Sequence, residues 1–377
     1  MNFDLTDEQN DIRRLVRDFS EQEVRPVAEE LDWEKRFPYE IVAKLGELGL
    51  MGMPYPQEYG GGGTDTLSYA IAVEELARID SSVAITMAAH ISLGTFPINA
   101  FGSHEQKERL MPDLCAGRRL WAFGLTEPEA GSDAGNTRTR ARLEGGEWVI
   151  DGAKQFITNA GTDISGGVTI TARTGKDEIS NIIVPTGTPG YTVEASYRKM
   201  GWNASDTRPL SFADARVPEE HLLGDRGRGY AQFLATLDGG RIGVAAMGVG
   251  LAQGALDESL AYAKDRRAFG KPISKFQAIQ AKLADMATEL EAARLLTYKA
   301  AHLKDHGRPF SLVAAQAKLK TGRLAVRAAE EAVQIHGGYG FMEEYPVCRF
   351  YRDAKVLTIG EGTDEIQQML IARHLGA

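Results

Sequence analysis

Glu361 stands between Gly360 and Gly362 at the end of the stretch Arg352-Asp-Ala-Lys-Val-Leu-Thr-Ile-Gly-Glu-Gly-Thr363. A carboxylate flanked by two glycines can be approached closely by a ligand, because neither neighbour has a side chain in the way. Thr363 is a suitable N-cap for a helix carrying Ile366, Met369, Leu370 and Arg373 at helical spacing. Taken alone, the segment is more simply an ordinary turn into a capped helix. A second stretch, Trp121 to Gly135, reads as an apolar strand that includes Phe123 and Leu125, ends at Thr126, and turns through Pro128, Gly131 and Ser132. Its hydroxyls and backbone N–H groups could bond a planar heterocycle and a phosphate without any positive charge. A plain polar turn accounts for it equally well. Gln155-Phe156-Ile-Thr158-Asn159 repeats the design, since positions 156 and 158 of a strand share a face where ring stacking and a hydroxyl bond could meet one ligand.

Three further segments are weaker signals. Arg266 and Arg267 close a helical pattern, where they could complement the C-terminal dipole or grip a pyrophosphate. His336-Gly-Gly-Tyr-Gly340 ends another helix, and three glycines there open a backbone surface. Gly60 to Gly63 lacks the Gly-Lys-Ser/Thr of a phosphate loop and reads as a flexible loop. Gly248, Gly250 and Gly254 lie in an alanine-rich helical pattern at the wrong spacing for a dinucleotide fingerprint, so close helix packing is the better reading.

The elements that must position these residues fall into an α–β–α order. Residues 1–119 read as helical, beginning with a Thr6-x-x-Gln9 capping box and the apolar series Ile12, Leu15, Val16, Phe19. Ser81 to Phe96 is apolar on too many sides for a surface helix. Residues 120–228 show period-two patterning and frequent turns, including a hairpin through Glu144-Gly-Gly-Glu147, which suggests a small sandwich or barrel. Residues 229–377 hold three long helical stretches and the segment after Glu361, which make a bundle. The expected class is α+β, mostly α.

Composition narrows the functional classes. The 377 residues have ordinary hydrophobic content (43%) and a net charge of −9, which argues against a nucleic-acid binder or a membrane-surface protein. Two distant cysteines, Cys115 and Cys348, form neither a disulfide framework nor a metal-ligand spacing. The acidic start, Met1 to Gln9, lacks the order of a secretory signal, and no long uninterrupted apolar run is present, so a cytoplasmic location is expected.

In order and at family spacing, these segments resemble the acyl-CoA dehydrogenase family over nearly the whole chain. Trp121 to Ser132 resembles its first flavin-binding strand and loop, and Phe156-Ile-Thr158-Asn159 the second. Arg266-Arg-Ala-Phe269-Gly resembles its Arg-x-x-Phe-Gly, Gln334-Ile-His-Gly-Gly338 its Gln-Ile-x-Gly-Gly, and Arg352 to Thr363 its catalytic segment. The resemblance implies an N-terminal helical domain, a middle β-domain and a C-terminal four-helix bundle. It also implies bound FAD, with Phe123, Leu125, Thr126, Gly131, Ser132, Phe156, Thr158, Thr363 and Glu365 around the cofactor. Arg266, Phe269, Gln334 and Gly338 would hold the adenine end of a neighbouring subunit's FAD, in a dimer of dimers.

The resemblance further implies that Glu361 removes the α-proton of an acyl-CoA thioester, with the enolate held by the Glu361 N–H, giving a trans-2-enoyl product. Electrons would pass to an electron-transferring flavoprotein. Ser132, Asp238, Arg241, Gly360 and Gly362 would contact the substrate, and no metal is implied. Members acting on isovaleryl or long-chain substrates carry the base on a helix instead, where this chain has Gly239-Gly240. Ala268 stands where many relatives have Thr or Ser, Gly360 where Tyr often precedes the base, and Ala89 where medium-chain relatives have Glu. Short- to medium-chain or branched acyl groups are therefore expected. Oxygen-using relatives (an acyl-CoA oxidase or a flavin monooxygenase) and a non-catalytic helical scaffold are the alternatives. The oxidases are usually longer, the monooxygenases usually lack Glu-Gly-Thr, and the intact Glu361, Thr126, Ser132 and Arg266 weigh against a scaffold.

Overall fold

The computed structural model describes residues 3–377, so the first two residues of the acidic N-terminal stretch lie outside it. Seven helices come first: α1 (Asp7–Phe19), α2 (Ala28–Glu34), α3 (Tyr39–Glu47), α4 (Thr66–Ala77), α5 (Ser81–Ala89), α6 (Phe96–Phe101) and α7 (His104–Cys115). The Thr6–Gln9 capping box forms as its sequence requires, each side chain meeting the other's backbone N–H. A π-helical turn, His90–Thr95, joins α5 to α6. The Ser81–Phe101 run is long and apolar enough to cross a bilayer, but 89% of its apolar window is buried inside the fold. Gly60–Gly63 is a loop, as expected, and its backbone is closely packed. Gly63 N–H donates to Tyr55 O at 2.8 Å, and a Cβ on Gly61 or Gly62 would strike the backbone of Tyr55 or Met53. Those glycines are needed for close packing.

The β region comprises β1 (Leu120–Gly124), β2 (Arg140–Glu144), β3 (Glu147–Thr158), β4 (Ser165–Gly175), β5 (Glu178–Pro185), β6 (Tyr191–Val193), β7 (Thr207–Pro218) and β8 (Leu222–Leu223). They form one sheet in the order β6-β7-β3-β2-β4-β5-β8, with β1 added parallel to β4. Gly145 and Gly146, at φ +62° and +86°, make the two-residue turn between β2 and β3, as two left-handed positions in a tight hairpin require. Trp148, Ile150, Val168, Ile170, Ile182 and Leu210 fill its core.

The C-terminal part is α8 (Gly229–Asp265), α9 (Gln277–Asp305), α10 (Ser311–His336), α11 (Pro346–Ala354) and α12 (Asp364–His374). Helix α8 is buried continuously from Gly239 to Ala252. Its glycines are there for approach. A Cβ on Gly248 would overlap Thr321 of α10, and one on Gly250 or Gly254 would overlap the carbonyl of Glu74 or Arg78 in the α4 region. The helix-packing reading of these glycines therefore stands, and α8 becomes the post against which α4 and α10 are set.

Candidate active site

A 3₁₀ turn, Lys355–Thr358, follows α11, and Thr363 caps α12 by accepting from Ile366 N–H at 3.4 Å. Between them Glu361 adopts φ +52° and Gly362 φ +93°. The left-handed region costs a non-glycine residue energy, so the surroundings must hold Glu361 there. Lys318 Nζ of α10 donates to Gly362 O at 2.6 Å, and Gln367 Nε2 of α12 donates to Glu361 O at 3.2 Å and Gly362 O at 3.0 Å. The residue as a whole is half-exposed, yet its carboxylate Oε2 is buried with no hydrogen-bond partner. Burial raises this carboxylic acid to about pKa 7, with Arg241 and then Lys318 pulling it back down.

The carboxylate lies against α8. A Cβ on Gly240 would overlap Glu361 Oε2 and come within 3.2 Å of Leu93 Cδ2. One turn further along the same face, a Cβ on Gly243 would fall 2.5 Å from the Tyr69 hydroxyl. Gly360 is open beside Glu361, the nearest atom to its Cβ position being Val356 O at 3.6 Å. Arg241 is buried and ion-paired with Asp238, which also accepts from Ser311 Oγ at 3.0 Å. The segment is anchored upstream by Asp353. Its carboxylate accepts from Ser81 Oγ at 2.8 Å and from Trp202 N–H at 2.7 Å, tying all three parts of the chain together. Burial, then the charge of Asp80, raises Asp353 to about 7.

The second group of residues forms around the end of β1. Phe123 is buried, Leu125 and Thr126 are half-buried, and Gly131 and Ser132 are exposed. Thr126 O accepts from Gln155 N–H at 2.8 Å, which brings this loop beside Phe156. Phe156 and Thr158 lie on the side away from buried Ile157, but β3 is bulged there and Phe156 sits at φ +61°, leaving its ring 63% exposed against Tyr197. That exposed ring owes its direction to the bulge rather than to plain strand alternation. Sequence reasoning missed what holds this loop. Lys154, wholly buried, pairs with Glu127 at 2.7 Å and donates to Leu125 O at 3.3 Å and Thr171 Oγ1 at 3.1 Å. Glu127 in turn accepts from the N–H groups of Arg138 and Thr139. Burial lowers Lys154 to about 8 against the pull of Glu127. The signal was present: Lys154 continues the inward series Trp148, Ile150, where a charge needs a partner.

The α5–π stretch touches both groups. Trp121 N–H donates to His90 Nδ1 at 3.2 Å, Asn159 Nδ2 donates to Thr86 O at 2.9 Å, and Leu93 meets the Gly240–Glu361 contact. Thr363 is half-buried, while Glu365 is exposed and is held below its ordinary range by a hydrogen bond from the Thr363 side chain.

Arg266, Phe269, Gln334 and Gly338 lie outside the Glu361 group, and Arg266 and Gly338 line one cleft. All four are exposed, Phe269 to 95%, and the Arg266 guanidinium lies 5.6 Å from the centre of the Tyr339 ring. A cleft of about 590 Å³ is lined here by Tyr262, Arg266, Gly338, Tyr339 and their neighbours, none of which belongs to the Glu361 group. Within one chain these residues face outward. The residues as a whole fit FAD: a Cβ at Gly131, Gly337 or Gly338 would meet nothing, and the exposed Phe156 ring stands free for stacking beside half-buried hydroxyls.

Comparison with known proteins covers the whole chain. Models of the acyl-CoA dehydrogenase N-terminal, middle and C-terminal domains match residues 6–118, 122–215 and 227–376. A probable acyl-CoA dehydrogenase of Bacillus subtilis is 54% identical, with all of both chains covered. The structure of butyryl-CoA dehydrogenase from Megasphaera elsdenii superposes with TM-score 0.97 at 45% identity over 100% of both chains. A chain in a structure described as the electron transferring flavoprotein of Acidaminococcus fermentans superposes with TM-score 0.97 at 43% identity, covering 100% of this chain and 99% of that one.

Proposed function

The chain belongs to the acyl-CoA dehydrogenase family of flavin-dependent oxidoreductases, and from that premise we propose that it desaturates a short-chain or small branched acyl-CoA to the trans-2-enoyl-CoA. The observation that carries the reading is the Glu361 carboxylate oxygen Oε2, buried, unpartnered and seated in the Gly240 notch. Such a group is a base able to work near neutral pH, because burial has lifted its acid form to about 7. Glu361 takes the proton α to the thioester carbonyl. The Glu361 N–H donates to no protein acceptor among the described residues, so it is free to bond the thioester oxygen as negative charge develops there. Thr126, Thr158, Phe156, Gly131 and Ser132 would hold FAD, with Phe123, Leu125, Thr363 and Glu365 around them. Arg266, Phe269, Gln334 and Gly338 would complete the site of a second copy in a dimer of dimers. The chemistry FAD supplies when bound is acceptance of the hydride from the β-carbon.

The geometry of α8 supports the choice of a small acyl group. Glu361 and the Tyr69 hydroxyl occupy neighbouring glycine notches about one helical turn, roughly 5 Å, apart. An acyl chain passing the base therefore meets a tyrosine early, while the open Gly360 leaves width beside it. Asp238 and Arg241 at the bundle, with Ser132 and Gly362, are the proposed contacts to the rest of the thioester. An electron-transferring flavoprotein is the acceptor we propose, supported by the likeness to a chain in the structure described as an electron transferring flavoprotein. Anaerobic bleaching of the flavin by a panel of straight, branched and cyclic acyl-CoAs tests cofactor, reaction and substrate class together. Four- and five-carbon substrates are expected to bleach fastest, and Glu361→Gln to stay yellow. Bleaching of that variant at the wild-type rate would refute the assignment of the base.

A further inference from the structure

We propose that Lys318 and Gln367 are positioning residues, which pin the two carbonyls of the Glu361–Gly362 turn from α10 and α12 and so keep the carboxylate aimed at the substrate's α-carbon. The inference rests on Glu361 being the base. Both residues are fully buried, which is expensive for a lysine ammonium and an amide N–H unless those donors are used. The Lys318 amine is spent on Gly362 O, and the Gln367 amide nitrogen on Glu361 O and Gly362 O. Three hydrogen bonds from two helices thus converge on a turn whose two residues are both left-handed. Fixing the peptide planes on either side of Gly362 fixes the backbone angle that follows the Glu361 Cα. That leaves the side chain little choice but the Gly240 notch.

Lys318 has a second effect that Gln367 lacks. The charged groups facing Glu361 are Lys318 from α10 and Arg241 from α8, while the Tyr69 hydroxyl faces it from α4. Asp364 and Glu365 of α12 act on Lys318, and burial lowers that lysine to about 8, so it is still largely cationic at neutral pH. Its charge favours the ionised base. Loss of the charge moves the ionisation of Glu361 to higher pH, whereas loss of the neutral amide leaves it where it is.

The experiment uses the full-length FAD-loaded enzyme and follows anaerobic flavin bleaching by butyryl-CoA as a function of pH. Lys318→Met is expected to bleach about tenfold or more slowly at neutral pH, with acyl-CoA affinity within about twofold, and its acid limb displaced to higher pH. Lys318→Arg, which keeps the charge, is expected to restore the wild-type limb. Gln367→Met is expected to lose rate with no displacement. An undisplaced limb in Lys318→Met overturns the electrostatic half of the proposal, even if rate falls. Should Lys318→Met fail to fold, wild-type bleaching by Gln367→Met overturns the clamp, and slowed bleaching at an undisplaced limb supports it. A wild-type enzyme that no acyl-CoA bleaches would instead remove the reading of Glu361 itself, and the clamp with it.

Discussion

Gly240→Ala is the smallest change that reaches Glu361. The added methyl would overlap Oε2, lie 3.0 Å from the carboxyl carbon and 3.2 Å from Leu93 Cδ2, all inside the ordinary carbon contact of about 3.5–4.0 Å. Helix α8 cannot retreat, because Gly248, Gly250 and Gly254 already hold it in backbone contact with α10 and the α4 region. The Glu361 backbone is held by Lys318 and Gln367, so the side chain must yield by about one ångström to clear the Oε2 overlap. A displacement of that size at a reacting group costs on the order of a hundredfold in rate, about 2.7 kcal/mol of barrier. Stability should change far less. Alanine in a helix interior is favoured over glycine by about 0.5–1 kcal/mol, which offsets part of an overpacking cost of about 1–3 kcal/mol. Stopped-flow bleaching under anaerobic conditions, with flavin content and thermal midpoint measured on the same samples, separates the two effects. A folded, yellow Gly240→Ala enzyme that bleaches at the wild-type rate would show that the working carboxylate is not in this notch.

Titration of the proposed base gives a second expectation: Glu361 acts in that role only when ionised, and burial places it at about 7, so kcat/KM should rise with pH through about 7 and then level. A limb near the ordinary glutamate range would mean that the carboxylate is solvated. Lys154→Met removes the partner of buried Glu127 and should destabilise the protein by about 3–5 kcal/mol in denaturant unfolding, with a lower flavin-to-protein ratio as the 125–139 loop loosens. Unchanged unfolding and flavin content would refute that role. Asp353→Asn probes the junction of the three parts. The folded pKa of Asp353 is raised to about 7 above its unfolded value, so its proton stabilises the fold below about pH 4, and that contribution is lost as pH rises to about 7. The loss is on the order of 4 kcal/mol. The asparagine variant, always neutral, should show a flatter thermal midpoint across that window, and parallel curves would count against it.

Local chemistry was legible wherever a residue's partner lies within one turn or one hairpin. The Thr6–Gln9 box, the Thr363 cap, the Gly145-Gly146 turn and the apolar α5 could all be read because propensity, capping and period act over a few residues. What was not legible depends on how distant elements meet. Nothing near Lys154 in sequence announces Glu127, and nothing near Gln367 announces that its amide returns to the turn before its own helix. The bulge that turns Phe156 outward is invisible to a period-two count, because it is an interruption of that period. The close packing at Gly61 and Gly62 is hidden for the same reason: glycine signals freedom locally and close approach only once Tyr55 and Met53 are in place.

Gly240 shows most clearly how the two kinds of information combine. In sequence it counts as an absence, the lack of a carboxylate on a helix where some family members carry their base. In the structure it is a requirement, since any side chain there would occupy the volume of the Glu361 carboxylate. The two positions are far apart in the chain but aim at one point, so they hold one constraint between them. A chain with a bare notch on α8 needs a carboxylate delivered from elsewhere, and a carboxylate on a left-handed turn needs a bare notch to enter. Each residue thus explains the other. Lys318 and Gln367 supply the remaining condition, holding the turn in a conformation that a glutamate would not adopt unaided.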